Sequence, residues 1–186
     1  MNFIDLDNNL FEGSVPAVFN RLPTLEFLYL SGNSFTGDLS FMEGMPAMRE
    51  LWIDNNPELT GQLYDFIGDI STLESFSVSY SMLTGPIPES FGELEQMKQM
   101  WLTSNNLTGA VPASLGNLNF METLQLEGND LTGSMPDEIC AQKFDDFLTV
   151  LGGDCTDEQF ECSCCTCCGV EDCNDTVESR FQKRRL

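Results

Sequence analysis

Apolar residues recur along this chain in a short alternating pattern, in which two apolar positions flank one variable position. Leu28 and Leu30 form one such pair, and Met100 and Leu102 form another. Alternation is typical of a strand with one buried face, because successive side chains point to opposite sides of a strand. The pattern predicts seven strands, near residues 4–6, 28–30, 51–53, 76–78, 100–102, 124–126 and 148–150.

A glycine recurs with a fixed period through the same part of the chain. The six glycines in this series stand 24 residues apart without exception: Gly13, Gly37, Gly61, Gly85, Gly109 and Gly133. Further apolar residues lie three and six positions before the strands, as Leu25 and Leu22 do before Leu28. A fixed period of about 20 to 50 residues indicates a solenoid, in which each coil packs on its neighbours and the strands stack in a parallel sheet.

An asparagine follows most of the predicted strands where the chain has to turn: Asn9, Asn33, Asn56, Asn105 and Asn129. An asparagine amide both donates and accepts hydrogen bonds, so it can bond backbone groups that a bend leaves unpaired. We therefore expect these side chains to point inward and to hold the turns. In the fourth coil the position is occupied by Ser81 instead.

These positions combine into one motif, most completely between Met100 and Pro112, where the chain follows apolar-x-Leu-x-x-Asn-x-Leu-Thr-Gly-x-Val-Pro. The motif resembles the plant-type leucine-rich repeat, and the resemblance covers roughly residues 1–140. It implies an α/β-type solenoid, a right-handed leucine-rich-repeat superhelix with a parallel β-sheet on its concave face and turns and short 3-10 helices on its convex face. It also implies a non-catalytic recognition module, as in receptor ectodomains and inhibitors of secreted enzymes.

All eight cysteines of the chain follow the sixth repeat: Cys140, Cys155, Cys162, Cys164, Cys165, Cys167, Cys168 and Cys173. Cysteines concentrated in this way are typical of a disulfide framework, which implies an oxidising compartment. Eight cysteines allow many pairings, and the sequence does not choose among them. The run from Cys162 to Cys168 resembles the carboxyl-terminal cysteine cap of microalgal leucine-rich-repeat proteins.

A thiolate metal site is the alternative interpretation of the cysteine run, because soft thiolates select zinc or copper(I). The chain contains no histidine, and Cys140 and Cys155 lie outside the run, which favours disulfides. We therefore expect neither a metal nor a cofactor. A count of free thiols in the unreduced protein separates the two interpretations.

The repeats and the cysteines together divide the chain. We expect six repeats over residues 1–139, a seventh strand with a cysteine-rich cap over 140–173, and a polar, basic tail over 174–186. The last coil of a solenoid has an apolar flank without a neighbour, so it needs such a cap. The seventh strand is placed by Leu148 and Val150, which fall one period after the sixth strand.

Composition narrows the class of function. The 30 acidic residues against eight basic ones give a net charge of −22, which argues against nucleic-acid binding and permits a cationic ligand. No stretch of the chain is apolar for long enough to cross a membrane. Without histidine the chain has no Ser-His or Cys-His catalysis, and no cleft is built around the acidic residues, so we expect no enzyme.

The start of the chain and its glycosylation sequons provide evidence on where in or outside the cell the protein is found. Met1 is followed at once by a predicted strand, with neither a signal peptide nor an amino-terminal cap, so we expect a fragment of a longer protein. Two Asn-x-Thr sequons predict glycosylation at Asn106 and Asn174. Together with the cap cysteines, the sequons predict an extracellular or cell-surface protein.

The residues that alternate outward on the strands are the candidates for binding. One outward column consists of Asp5, Tyr29, Trp52, Ser77, Trp101, Gln125 and Thr149. Large aromatic side chains on an exposed sheet often anchor partners, although they can also simply cover neighbouring strands. We predict a protein, peptide or glycan ligand on the concave face, bound by Tyr29, Trp52 and Trp101 with Asp54 and Glu127 as flanking acids. A structural or adhesive cell-wall protein is the alternative function, and a thiolate metal-binding protein is a second alternative.

Overall fold

The computed structural model describes residues 1–144, 148–155 and 159–168. Within these residues each coil of the chain contributes one short strand to a parallel sheet, as the alternating pattern predicts. The strands of this main sheet, numbered with the others in chain order, are β1 (Phe3–Asp5), β3 (Phe27–Tyr29), β5 (Glu50–Trp52), β7 (Ser75–Ser77), β9 (Gln99–Trp101), β11 (Thr123–Gln125), β14 (Val150–Gly153) and β16 (Cys167–Cys168).

Neighbouring strands of the main sheet pair one coil apart in the chain. Leu28 lies beside Ile4 on one side and beside Leu51 on the other, so equivalent repeat positions stand in line across the sheet. The first six strands each begin one residue before the predicted position. The predicted solenoid with its parallel sheet is confirmed.

The seventh strand departs from the prediction. β14 pairs Leu151 with Leu124, so the expected alignment of Leu148 with Leu124 is wrong, and Thr149 precedes the strand instead of joining the outward column. The reason is an α-helix, α1 (Asp137–Phe144), which takes the place of a 3-10 helix in this coil. An α-helix rises about 1.5 Å per residue against about 2.0 Å for a 3-10 helix, so this coil needs more residues for the same path.

Smaller sheets and short helices complete each coil. The smaller parallel strands are β2 (Glu12–Ser14), β4 (Ser34–Gly37), β6 (Glu58–Leu59), β8 (Thr84–Gly85), β10 (Asn106–Gly109), β12 (Asp130–Leu131), β13 (Gly133–Ser134) and β15 (Phe160–Glu161). The 3-10 helices span Ala17–Arg21, Leu39–Met42, Asp65–Asp69, Glu89–Glu93 and Ala113–Asn117. Among the described residues, no helix combines the length and the apolar character needed to cross a membrane.

The hydrophobic core lies between the main sheet and the 3-10 helices. The inward positions of successive strands stack in a column of fully buried side chains: Leu28, Leu51, Phe76, Met100, Leu124 and Leu151. Each coil therefore buries its apolar face against the coils before and after it, which is how a repeat too small to fold alone becomes stable.

Four of the five turn asparagines point inward and serve backbone groups of two coils, as expected, whereas Asn9 of the first coil is exposed and donates to the carbonyl oxygens of Leu6 and Asp7 in its own coil. The Asn56 amide donates to the carbonyl oxygen of Ile53 at 2.9 Å and to that of Leu30, in the preceding coil, at 3.1 Å. Its own carbonyl oxygen accepts the Phe35 N–H at 2.9 Å. The same three kinds of bond are made by Asn33, Asn105 and Asn129.

The 3-10 helices approach one another through glycines. A Cβ atom on Gly92 would lie 2.5 Å from the carbonyl oxygen of Ser114 in the next coil, so only glycine fits there. Gly68 and Gly116 occupy the same repeat position and face the next helix as closely. One period after Gly116 the position is Cys140, whose sulfur bonds to the cap.

Disulfides attach the cap to the last coil. The Cys140–Cys164 disulfide ties α1 to the segment that precedes β16, and the Cys162–Cys165 disulfide closes a short loop. Cys155 is disulfide-bonded as well. β16 pairs with β14 and extends the main sheet by an eighth strand, which the sequence pattern does not predict.

Candidate ligand-binding face

The outward side chains of the main sheet form a second apolar cluster, separate from the core. This concave aromatic cluster consists of Tyr29, Trp52 and Trp101, with Phe27 packed beside them. Their outward direction agrees with the prediction. Their exposure does not, because only 8% of the Tyr29 surface, 6% of Trp52 and 2% of Trp101 is accessible. The expectation of freely exposed aromatic anchors is therefore corrected.

The short side chain of Ser77 explains how the tryptophans become buried. Ser77 lies between Trp52 and Trp101 in the sheet register, so these two residues are two strands apart, a distance of about 10 Å. Their ring centroids are nevertheless 5.6 Å apart, with an interplanar angle of 69°. The two indoles thus lean toward each other above the β7 strand. The Trp52 Nε1–H also donates to Ser75 Oγ at 2.8 Å.

The cluster becomes more accessible toward the first coil. Phe3, whose surface is 51% exposed, meets the Tyr29 ring edge-on with the ring centroids 5.4 Å apart. The Tyr29 hydroxyl donates to Glu50 Oε2 at 2.7 Å. An aromatic surface flanked by carboxylates is therefore open at the end of the sheet near β1, where Asp5 is also exposed.

Asp54 lies beneath this face and is inaccessible to solvent. Its Oδ1 accepts the Ser79 backbone N–H at 2.9 Å and the Ser77 hydroxyl, and its backbone N–H donates to Ser31 Oγ at 3.2 Å. These bonds reach into the coils before and after it. Asp54, which the sequence predicts to be an accessible acid, is therefore buried and joins three coils through hydrogen bonds.

Glu127 is buried as well, with 1% of its surface exposed. Its Oε1 accepts the Thr103 hydroxyl at 3.1 Å, whereas Oε2 has no partner among the described residues. Burial raises the pKa of the Glu127 carboxyl above its ordinary value, and the nearby charge of Asp154 adds to the rise, against the hydrogen bond from Thr103. Glu127 is thus a buried acid that resists ionisation.

Ion pairs line the edge where the strands enter the sheet. Arg49 Nε donates to Glu74 Oε1 at 2.7 Å, and Lys98 Nζ lies 2.8 Å from Glu74 Oε2. The hydrogen bond from Lys98 is the main cause that lowers the pKa of the Glu74 carboxyl. The Arg49 guanidinium carbon also lies 5.9 Å from the centroid of the Phe27 ring. The aromatic cluster therefore already accepts one cation at its margin.

The repeat architecture agrees with a known family. The Leucine Rich Repeat family profile matches residues 24–44 and 72–94, which contain β3 and β7 with the turns and helices around them. The fold is that of a leucine-rich-repeat solenoid. Its remaining coils keep a similar strand spacing and the glycine positions that those two segments show.

Plant receptor proteins contain similar leucine-rich repeats. The chain is 34% identical over 79 residues to Receptor-like protein 19 of Arabidopsis thaliana, a match that covers 39% of this chain and 8% of that protein. It is 38% identical over 68 residues to Receptor-like protein CLAVATA2 of the same plant, covering 37% of this chain and 9% of that protein. The repeats are thus of the plant type, and the matched segment spans under a tenth of these relatives' length.

A solved plant ectodomain shows the same fold. It is the LRR ectodomain of the plant membrane receptor kinase GASSHO1/SCHENGEN3 from Arabidopsis thaliana, in complex with Casparian Strip Integrity Factor 2. It superposes with a TM-score of 0.76 at 30% identity, covering 85% of this chain and 18% of that chain. The resemblance of the cysteine cap to microalgal proteins stays a prediction.

The geometry of the cap cysteines allows the metal-site alternative to be examined. The sulfur atoms of Cys155, Cys162 and Cys165 lie within 4.8 Å of one another, close enough to share a metal ion. Two of them are joined as the Cys162–Cys165 disulfide, and a disulfide sulfur cannot serve as a thiolate ligand. The oxidised cap therefore favours disulfides over a metal. Cys173, for which the sequence predicts a disulfide, lies outside the described residues.

One of the two predicted glycosylation sites can be located on the leucine-rich repeats. Asn106 and Thr108 belong to β10, away from the main sheet, and both side chains are exposed. They lie two residues apart on a strand, so they point to the same side. The sequon is therefore accessible, and glycosylation at Asn106 stays a prediction. Asn174 lies outside the described residues.

The feature that sequence reasoning missed is the role of the serines in the fourth coil. Ser75 and Ser77 on β7 and Ser79 just after it alternate outward, and all three are buried. The sequence did contain a signal for this feature: three successive outward positions of the fourth coil are serines, and the coils on both sides carry a tryptophan. Small residues leave space that large neighbouring side chains can fill.

Proposed function

We propose that this chain is a non-catalytic extracellular recognition module that binds a protein or peptide ligand on the concave face of its main sheet. The observation that carries the proposal is the concave aromatic cluster, which gathers Phe27, Tyr29, Trp52 and Trp101 on a face that the inner core does not use. Tyrosine and tryptophan are enriched at the sites that anchor a partner.

The five predicted binding residues have two different roles in the proposed binding site. Tyr29, Trp52 and Trp101 form the nearly buried floor on which a ligand rests, and the more exposed Phe3 ring beside Tyr29 supplies open aromatic contact. Asp54 and Glu127, both buried, fix the strands beneath that floor through hydrogen bonds to neighbouring coils. A rigid floor favours affinity, because the ligand does not have to order it on binding.

Two observations support an extracellular ligand. The similar ectodomain of GASSHO1/SCHENGEN3 is in complex with Casparian Strip Integrity Factor 2, so a solenoid of this kind holds a second molecule. The disulfides of the cap, Cys140–Cys164 and Cys162–Cys165, are the kind that persists in an oxidising compartment.

Photochemical crosslinking tests the proposal. A benzoylphenylalanine at Gln99, a half-buried position on the outward side of β9, should capture a secreted molecule from the medium of the source cells. The matched control carries the same group at Phe120, which is 57% exposed in the loop before β11. We expect an adduct with the Gln99 probe that the Phe120 probe does not give.

Two outcomes of this experiment would contradict the proposal. Equal capture at both positions would mean that the concave face has no preference for a ligand. An adduct at Gln99 that a glycosidase removes and a protease leaves intact would show that the ligand is a glycan and not a polypeptide.

A further inference from the structure

Three cysteine sulfurs of the cap lie close together. The Sγ atoms of Cys155, Cys162 and Cys165 are within 4.8 Å of one another, and all three residues are half-buried. Among the described residues, no other group of three acidic or cysteine side chains comes as close. We call these three residues the cap sulfur cluster. In the oxidised protein all three are disulfide-bonded, with Cys162 joined to Cys165.

The fold holds the cap sulfur cluster from two sides. Cys155 stands two residues after β14, a strand of the main sheet, and Cys162 directly follows β15, which pairs with β13. Cys162 and Cys165 also pack against the hydrophobic core. A Cβ atom on Gly153 would lie 3.2 Å from Cys165 Sγ, so the glycine lets this sulfur approach the end of β14. None of these contacts requires the bond between Cys162 and Cys165, so the three sulfurs stay near one another when that bond opens.

The Cys162–Cys165 disulfide is more accessible than the Cys140–Cys164 disulfide. Both of its residues are half-buried, whereas only 8% of the Cys140 surface is exposed. Its sequence separation is 3, against 24 for Cys140–Cys164, so it constrains the unfolded chain less and contributes less stability. Thiol–disulfide exchange requires direct approach to a sulfur atom. A reductant should therefore open the Cys162–Cys165 bond first, while the Cys140–Cys164 bond still attaches the cap.

We propose that the cap sulfur cluster, once reduced, binds one zinc ion through the thiolates of Cys155, Cys162 and Cys165. Disulfides fix this part of the cap in the oxidised chain, and the metal fixes the same part in the reduced chain. The inference is independent of what binds the concave face. It gives the cap a metal site that exists in one oxidation state only.

The two states are connected by steps in which atoms and electrons balance. A dithiol reductant transfers two electrons and two protons to the Cys162–Cys165 disulfide, which becomes two thiols while the reductant forms its own disulfide. A second dithiol releases Cys155 from its bridge in the same way. Zinc then replaces the protons of the three thiols, so that three Zn–S bonds form and three protons pass to water.

The spacing of the sulfurs suits this ion. Zn–S bonds of about 2.3 Å in a tetrahedral site place thiolate sulfurs about 3.8 Å apart. Because Cys155 Sγ already lies within 4.8 Å of the other two, a shift of about 1 Å brings it to that spacing. Thiolates select soft ions such as zinc over calcium or magnesium, and a net charge of −22 attracts cations in general. Three protein ligands leave the fourth position to water.

Metal titration of the full chain tests the proposal. The chain is reduced with a phosphine, freed of the reductant without oxygen, and titrated with Co2+, whose tetrahedral thiolate complexes absorb visible light. We expect one Co2+ per reduced chain, its displacement by Zn2+, which binds more tightly, and no complex with the unreduced chain. Cys162→Ser should weaken zinc binding at least tenfold, because it removes a ligand. The matched control, with both Cys140 and Cys164 changed to serine, should alter the affinity less than about twofold.

Alkylation by iodoacetamide locates the site without any substitution. In the reduced chain, Zn2+ should slow the labelling of Cys155, Cys162 and Cys165 at least tenfold, because a metal-bound thiolate is no longer free to react. Labelling of Cys140 and Cys164, followed in the same peptide mass spectra, should change by less than about twofold.

Three results would overturn the proposal. Zinc binding of unchanged affinity after Cys162→Ser would place the metal on other cysteines. Equal losses in Cys162→Ser and in the control would mean that the reduced thiols bind zinc without a defined site. A reduced chain that binds no zinc, while circular dichroism shows a folded solenoid, would leave the cluster with disulfides only.

Discussion

Several side chains on the concave face stabilise the fold, although the sequence motif places them at variable outward positions. Trp52 and Trp101 meet above Ser77, and Asp54 connects three coils while remaining inaccessible to solvent. Alternation places all of these residues outward, but the sizes of the residues across the sheet decide whether they are accessible. Substitutions there should therefore affect stability as well as binding.

We expect Trp101→Ala to lower the free energy of unfolding by about 3 to 5 kcal/mol, because the change removes a buried aromatic side chain and leaves a cavity. Urea denaturation followed by circular dichroism measures the loss. The control is Phe120→Ala, at a ring that is 57% exposed, and its effect should stay within about 0.5 kcal/mol. Similar small losses in both variants would mean that the indole is not packed.

Glu127→Gln should stabilise the protein at neutral pH and have little effect in acid. The pKa of the Glu127 carboxyl is raised in the folded state, mainly by burial. Its contribution is therefore fully present below the unfolded pKa of about 4.3 and is lost as the pH rises through the folded pKa. Above that pH the folded protein carries a buried charge beside Asp154, which glutamine avoids, and we expect a gain of about 1 to 2 kcal/mol.

Melting temperatures between about pH 4 and pH 8 test this expectation. The curves of the original chain and of Glu127→Gln should converge in acid and separate at neutral pH. Glu95→Gln, at an exposed position, is the control and should follow the original chain throughout. Parallel curves for Glu127→Gln and the original chain would show that Glu127 titrates normally.

The turns of the solenoid are held by residues that recur at the same repeat positions. The fourth coil differs from the others at two of these positions. Asparagine amides join successive coils at the turns of the second, third, fifth and sixth coils, whereas the buried Ser81 hydroxyl has no partner among the described residues. Tyr80 adopts a φ of 56°, a conformation that other coils give to Asn8, Gly32, Asn55, Ser104 and Gly128. A bulky residue is strained in this conformation, so the fourth coil holds backbone strain beside the serines that receive both tryptophans.

Gly92→Ala should destabilise the stack of 3-10 helices by about 1 to 3 kcal/mol, because an added methyl group overpacks a close contact. The new Cβ would meet the backbone of Ser114, which cannot rotate away as a side chain could. The measurement is again the free energy of unfolding. Glu93→Ala, an exposed change in the same helix, is the control. A neutral Gly92→Ala would show that adjacent coils can move apart without loss.

At the scale of the whole molecule, the two ends of the solenoid differ. The carboxyl end is covered by the cap, which the Cys140–Cys164 disulfide attaches to α1, and the Asp154 carboxylate accepts the N–H groups of Gly128 and Asn129. Each coil contacts only its neighbours, so loosening of the cap should spread inward from β14 and should reach the central coils last.

Removing the Cys140–Cys164 disulfide by substitution of both residues with alanine should cost about 3.5 kcal/mol, because it closes a loop of about 25 residues. Removing the Cys162–Cys165 disulfide should cost only about 2 kcal/mol, since its loop is much shorter. Hydrogen exchange with mass spectrometry should show β14 and β11 losing protection before β5 in the first variant. Equal loss of protection in all coils would mean that the solenoid unfolds as one unit.

The sequence by itself determined the repeating architecture. A strict 24-residue glycine period, alternating apolar pairs and an asparagine at most turns define a coil that is stable only when stacked, and these signals are local. The positions of the first six strands, the inward asparagines and the outward direction of Tyr29, Trp52 and Trp101 therefore followed from the sequence.

Only the tertiary structure decided what depends on residues far apart in the chain. Trp52 and Trp101 are buried because both reach over Ser77, a relation between three coils that no single repeat contains. The register of β14 depends on the turn geometry of α1, and the partner of Cys140 depends on where the cap folds back. A local pattern specifies which way a side chain points, whereas burial and pairing depend on which distant side chains fill the space beside it.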